Sequence, residues 1–186
     1  LEKLYQLIEK HVPEEHTYEI IFVDDGSTDG SLGVLKQLHE QDPRVKVIRF
    51  RRNFGKAAAL MAGFDHAEGE TVFTMDADLQ DDPEEIPRCL AKLDEGYDLV
   101  SGWKYPRLDP ITKTAPSKLA NFAIRAGSGI KLHDFNCGYK AMRKEVAKEI
   151  KLYGELHRYV PVLAHWRGFN VTEIKVRHHP REFGSS

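Results

Sequence analysis

Residues 18–31, YEIIFVDDGSTDGS, carry the reading on which the fold turns. Tyr18 to Val23 is a short apolar run rich in β-branched and aromatic side chains, and it stops at Asp24-Asp25-Gly26. That pattern predicts a buried strand ending in a tight acidic turn. Asp29 then suits a helix start, with Leu32, Leu35 and Leu38 spaced along one face up to about Glu40. The same rhythm repeats outward from this unit. Val45–Phe50 predicts a second strand, Gly55–Ala67 an Ala-rich helix, and Thr71–Met75 a third strand ending at Asp76. Asp82-Pro83-Glu84-Glu85 marks a helix start, with Asp as cap and Pro at the first position; the helix should end near Gly96. A fourth strand begins at Asp98. Alternation of this kind specifies an α/β fold with a mainly parallel sheet flanked by helices, Rossmann-like in outline. Ligands of such sheets bind outside the carboxyl ends of the strands. Asp24-Asp25 and Asp76-Ala77-Asp78 both fall at such ends and are expected to face one crevice.

Beyond Gly102 the rhythm changes. Trp103–Ala115 (WKYPRLDPITKTA) contains two prolines and little periodicity, so a long loop is expected, placed to act as a lid. Helices are expected over 116–126, 144–150 and 157–166, with strands over 137–142 and 169–177. The 186 residues suit a single domain. No apolar run reaches the roughly 18 residues that a membrane span needs. Cys89 and Cys137 have no metal-ligand spacing and read as two buried thiols.

The formal net charge of −2 hides a division. Residues 1–100 hold 11 Lys and Arg against 22 Asp and Glu, a balance of −11; residues 101–186 hold 16 against 7, a balance of +9. An acidic half suits a cation site, and a basic half suits phosphate or an anionic membrane surface. Nothing in the pattern calls for nucleic acid.

Two constellations bear chemistry. Asp76, Asp78 and Gln80 form an all-oxygen set just past a strand, which favours Mg²⁺ or Mn²⁺ over zinc. A solvated turn is the other reading of such a tripeptide, but Asp82 already serves as the helix cap and leaves Asp76 and Asp78 without a structural task. The second is Asp24-Asp25-Gly26-Ser27-Thr28-Asp29-Gly30. Its small residues bring backbone N–H groups within reach of a ligand, and its carboxylates can accept from a base or ribose hydroxyls. A plain strand-to-helix turn fits that stretch equally well.

Taken in order, IIFVDDGSTDGS, RNFGKAAAL and MDADLQDDPEEIP resemble the family 2 glycosyltransferases of the GT-A fold. LHDFNCGYKAMRKEV, GELHRYVPVLA and VRHHPREFG are similar to the prenyl-phosphate branch of that family, which includes the dolichyl-phosphate mannosyltransferases and the bacterial undecaprenyl-phosphate glycosyltransferases. The resemblance implies a UDP- or GDP-sugar donor, a polyprenyl phosphate acceptor at the cytoplasmic face of a membrane, a divalent cation, and a possible homo-oligomer. It implies that Asp25, with Asp24 and Ser27, contacts the nucleotide, that Lys56 approaches it, and that Asp76, Asp78 and Gln80 hold the metal against the diphosphate. Arg107, Arg143, Arg158, His178 and Arg181 would then face donor or acceptor phosphates, with Asp78 and Arg158 nearest the reaction. Family members begin with an apolar strand that Leu1-Glu2-Lys3-Leu4 does not supply and continue past the equivalent of Ser186, so a fragment lacking its first strand and its membrane segments is expected. Two other readings compete. A phosphoacceptor receiver domain would use Asp24-Asp25, Asp76, Ser101 and Lys104; a sugar-nucleotide pyrophosphorylase would share the metal dependence but needs a Gly-rich basic loop. Within the transferase reading, a sugar or polysaccharide acceptor is the alternative to the lipid.

Overall fold

The computed structural model describes residues 1–105 and 129–177. Helix α1 (Glu2–His11) leads into strand β1 (Ile20–Asp24), helix α2 (Ser31–Gln41), β2 (Val45–Arg49), α3 (Lys56–His66) and β3 (Thr71–Thr74). A 3-10 turn over Pro83–Glu85 opens α4 (Ile86–Asp94), followed by β4 (Leu99–Lys104). The second described stretch holds β5 (Lys140–Arg143), α5 (Lys144–Glu149), a 3-10 turn (Leu156–Tyr159), α6 (Val160–Trp166) and β6 (Val171–Val176). The helix expected over 116–126 lies outside the described residues.

The start signals behave as their chemistry requires. Asp82 accepts a hydrogen bond from the Glu84 N–H at 3.0 Å, with Pro83 at the first helical position, where its missing N–H costs nothing. Asp29 accepts from the Ser31 N–H at 2.9 Å, and α2 begins there. The stretch 157–166, expected as one helix, is instead a 3-10 turn that becomes α-helical at Val160, with Pro161 in the first turn.

The strands form two sheets. β1 and β2 pair in parallel, Ile20 opposite Val45 through Asp24 opposite Arg49. The second sheet runs β3-β5-β4-β6, with β4 and β6 parallel and β5 antiparallel to both its neighbours. The sheet is therefore more mixed than the expected parallel arrangement. β5 enters after a long excursion from β4, and a strand that returns this way is free to insert in the reverse direction between two existing edges. Among the described residues β1 pairs on one side only, as does β3.

Side chains alternate across the second sheet, and two cores follow from that period of two. Leu99 and Met142 face α3, α5 and α6, where Phe64, Val146, Ala147, Ile150, Val160 and Ala164 are buried. Val100 and Ala141 face the other way, against Cys89 and Leu93 of α4 with Ile174 and Val176 of β6. Both cysteines are free and buried here, and loss of hydration pushes each thiol up to about 12. A third core joins α1 and α2 to the two-stranded sheet through Leu4, Leu35, Leu38, Phe22 and Val45. Helix α3 packs on β1 while its Phe64 enters the core of the other sheet.

Candidate active site

The first acidic motif is shaped by its own carboxylates. Asp24 is buried; one oxygen accepts from the Ser27 N–H at 2.9 Å and the other is enclosed without a hydrogen-bond partner. Asp25 reaches across to the turn before α3, accepting from the N–H groups of Phe54 at 2.7 Å and Gly55 at 2.9 Å. Gly26 lies against that turn with φ +77°, and a Cβ there would stand 2.5 Å from the Arg52 carbonyl carbon, so only glycine lets the two loops meet. Asp25 thereby fixes the start of α3, and Lys56 is the first residue of that helix. Ser27 is exposed at the tip of the turn.

Lys56 points to the second motif. Its Nζ stands 2.6 Å from Asp76 Oδ1, with both side chains roughly two-fifths exposed. Asp76 is held from behind as well. Its N–H donates to Asp81 Oδ2 at 3.1 Å, and Asp81 is buried with the Lys104 ammonium 3.4 Å from its other oxygen, an ion-pair distance rather than a hydrogen bond. Burial pushes the Asp81 carboxyl up, against the pull of Lys104. Burial also works against the charge of Lys104, but Asp81, Cys137 and Asp76 together outweigh it and the ammonium is held above its usual range. Thr74, at the end of β3, donates its hydroxyl to the Gly138 carbonyl at 2.7 Å. A Cβ at Gly138 would stand 2.7 Å from Asp76 Oδ2. Space beside that carboxylate is thus kept open by the absence of a side chain.

The turn itself bends sharply. Asp78 Oδ1 accepts from the Gln80 N–H at 3.1 Å, and Leu79 between them adopts φ +62° while burying its side chain beside α1 and α2. A non-glycine residue in that region is held there by its surroundings. Here the burial of Leu79 anchors a turn whose flanking residues, Asp78 and Gln80, carry side-chain oxygens. Among the described residues no three His, Cys, Asp or Glu side chains gather closely enough to hold a metal by themselves. Two carboxylates and an amide are a partial set, which suits Mg²⁺ or Mn²⁺ because those ions share coordination with substrate phosphate and water. With the open space at Gly138, the residues present fit such an ion.

Beside Asp76 opens a cleft of about 200 Å³, bounded by Lys56 and Leu60 of α3, Thr74, the 136–138 loop, Lys140 and Met142 of β5, and His157 and Arg158. Among the described residues that bound it, Asp76 is the only carboxylate, and Lys56, Lys140, His157 and Arg158 are the basic side chains. Lys140 is buried, donates to the Cys137 carbonyl, and burial pushes its ammonium down from the usual lysine range. Arg158 pairs with exposed Glu155 at 2.8 Å, a contact that contributes little and leaves the guanidinium half exposed.

Asp76, Lys56 and Arg158, singled out in the sequence, therefore meet at one cleft, with Asp78 and Gln80 on the adjoining turn. Arg143 does not. It pairs with Thr71 at the opposite end of β3 from Thr74, and its guanidinium donates to the Leu93 carbonyl at 2.8 Å, satisfying the end of α4. In this structure it is not among the residues that bound the cleft, although its neighbour Met142 is. The lid expected over 103–115 is corrected at its start. Trp103 and Lys104 belong to β4, paired with Lys175 and Val176, because the apolar strand continues past Gly102. Lys104 is engaged in the interior on Asp81, so it is not available as a receiver-type lysine. Arg107, His178 and Arg181, and the rest of the expected lid, lie outside the described residues. Lys140, Gly138 and Asp81 were missed. The signal for Lys140 was a lone charge inside an apolar strand, two residues before Met142 and so on the same face. Gly138 and Asp81 gave none.

Comparison with known proteins places the chain among its relatives. Residues 1–151 match the family model described as "Glycosyl transferase family 2". Dodecaprenyl-phosphate galacturonate synthase of Rhizobium johnstonii is 40% identical over 176 residues, covering 92% of this chain and 52% of that protein. Undecaprenyl-phosphate 4-deoxy-4-formamido-L-arabinose transferase of Pseudomonas savastanoi pv. phaseolicola is 40% identical over 179 residues, covering 95% and 52%. The chain thus spans about half the length of these curated relatives. Among solved structures, glucosyl-3-phosphoglycerate synthase from Mycobacterium tuberculosis, in complex with Mn²⁺, UDP and glucosyl-3-phosphoglycerate, superposes with a TM-score of 0.72 at 17% identity, covering 99% of this chain and 67% of that one. That likeness establishes the fold, and the family model and the two relatives establish the lineage: the chain belongs to glycosyl transferase family 2.

Proposed function

We propose that the chain is the catalytic part of an inverting, metal-dependent glycosyltransferase that moves a sugar from a nucleoside-diphosphate sugar to a polyprenyl monophosphate at the cytoplasmic face of a membrane. The observation that carries this reading is the cleft in which, among the described residues, a single carboxylate, Asp76, stands with Lys56, Lys140, His157 and Arg158. A site of that composition receives more anionic charge than one phosphate supplies. The names of the relatives, both of which act on prenyl phosphates, point the same way.

Asp76, Asp78 and Gln80 would hold Mg²⁺ or Mn²⁺, which supplies charge stabilisation to the departing diphosphate. Asp25 keeps a second lone pair on each oxygen for a base or ribose donor, and Ser27 stands exposed beside it. Arg158 offers a planar fork to phosphate oxygens, and Lys140 a point charge at the cleft floor. The acceptor oxygen attacks the anomeric carbon as the bond from that carbon to the diphosphate oxygen breaks on the opposite face. Because the second pKa of a phosphate monoester is about 6, the attacking oxygen already carries charge at neutral pH. No strong base is then needed; positioning and electrostatics do the catalysis, with Asp78 orienting the acceptor.

The test is nucleotide binding with and without metal. Asp78→Ala should lose Mn²⁺-dependent binding of UDP or GDP while its unfolding free energy stays within about 1 kcal/mol of the parent, as for other surface turns. Equal Mn²⁺-dependent affinity in the variant, measured by calorimetry, would remove Asp78 from the metal site.

A further inference from the structure

Lys56 already engages one oxygen of Asp76, the carboxylate proposed above as a metal ligand, while the other oxygen faces the space kept at Gly138. Its Nζ lies 2.6 Å from Asp76 Oδ1. The contact is arranged by the fold, because Asp25 pins the Phe54 and Gly55 N–H groups and so sets where α3 begins. Asp76 is fixed from the other side by Asp81. The two acidic motifs are thereby joined through one lysine. The Lys56–Asp76 pair is also easy to open, since both side chains are about two-fifths exposed and a pair of that kind is worth on the order of 1 kcal/mol or less.

Charge decides what opens it. A free divalent cation arriving at Asp76 meets an ammonium that has no second carboxylate to turn to among the described residues bounding the cleft, and the two cations repel each other. Asp76 is the only carboxylate among the described residues that bound the cleft. A cation that arrives bound to a nucleoside diphosphate brings phosphate oxygens with it, and Lys56 transfers from carboxylate to phosphate without being left unpaired. From this exchange we infer that Lys56 is an internal counter-cation that makes metal uptake conditional on the diphosphate. It is a positioning residue that orders loading, so that Asp76 is not filled by metal alone. The inference rests on the metal reading given under Proposed function.

Its test reads metal occupancy rather than turnover. Binding of Mn²⁺ alone is followed by electron paramagnetic resonance at low ionic strength, and then again with UDP and with GDP. The parent chain should take up Mn²⁺ weakly by itself and more tightly with one of the nucleotides. Lys56→Gln and Lys56→Met should each bind Mn²⁺ alone roughly 3- to 10-fold more tightly than the parent, the range for releasing a half-exposed pair and its repulsion. In both variants the strengthening by nucleotide should shrink. Lys56→Arg, which keeps the charge, should track the parent. Loss of structure cannot tighten binding, so the gain is diagnostic. If neither neutral variant binds Mn²⁺ more tightly, or if Lys56→Arg gains as much as they do, the counter-cation role is wrong while the metal site stands. If the parent takes up no Mn²⁺ even with nucleotide, the metal site and the inference fall together.

Discussion

At the scale of single residues, the site depends on a side chain that is not there. Gly138 has no Cβ, and one would stand 2.7 Å from Asp76 Oδ2. The atom it would strike is the tip of a flexible side chain, so the fold can yield by moving the carboxylate. Gly138→Ala is therefore expected to cost under about 1.5 kcal/mol in a urea unfolding curve, below typical core overpacking. Its Mn²⁺-dependent nucleotide binding should nonetheless fall at least tenfold, because Asp76 is turned from its place. An unchanged binding constant would mean that Asp76 does not ligate the metal. This residue illustrates what sequence does and does not disclose. Asp76, Asp78 and Lys56 were legible because charged groups at strand and helix ends have few structural uses. Arg143 carried the same charge signal, but its use as a cap for α4 depends on where β5 lies, which no local pattern records. Gly138 and buried Asp81 act through space on Asp76, at separations in sequence that bear no sign of the contact.

At the scale of elements, α3 is the member that brings the two sheets to one site. It lies on β1 and carries Lys56 at its start, and Phe64 near its end is buried with Met142, Val146 and Leu99 in the core of the second sheet. At its far end, Glu19 accepts from the Glu68 and Gly69 N–H groups at 2.7 and 3.1 Å and so ties the entry of β1 to the loop after α3. Phe64→Ala should cost about 3–5 kcal/mol, the range for a truncated core aromatic, read as a lowered urea midpoint. Cys89→Ala, on the opposite face of the sheet, should cost less because it deletes one atom; a smaller loss at Phe64 than at Cys89 would show that α3 is not the joining element. The strands and helices up to β4 were legible since each is a short, strongly periodic run bounded by Gly, Pro or acidic caps. The direction of β5 was not, because periodicity is the same for parallel and antiparallel strands and only the sheet decides.

At the scale of the whole molecule, charge is sorted along the chain and the cleft sits where the halves meet. Lys56, Thr74 and Asp76 come from the acidic first hundred residues; Lys140, His157 and Arg158 come from the basic remainder. A donor held at the acidic turns leaves the basic wall free for a second anion, and among the described residues no helix is long and apolar enough to cross a membrane. In the proposed reaction the acceptor phosphate would meet that basic wall, and a basic surface would also be attracted to anionic lipid. Arg158 is the residue on which this turns, because its guanidinium is half exposed and its pairing with Glu155 is weak enough to give up. Arg158→Ala should retain nucleotide binding within about twofold, while transfer to a short-chain prenyl phosphate drops by a factor on the order of 100, as for loss of a charge-assisted phosphate contact. The measurement pairs that assay with transfer to a free sugar in both parent and variant. Efficient transfer by the parent to the free sugar, with none to the prenyl phosphate, would replace the lipid with a sugar or polysaccharide acceptor. Equal prenyl-phosphate transfer by parent and variant would keep the lipid and move its phosphate away from Arg158.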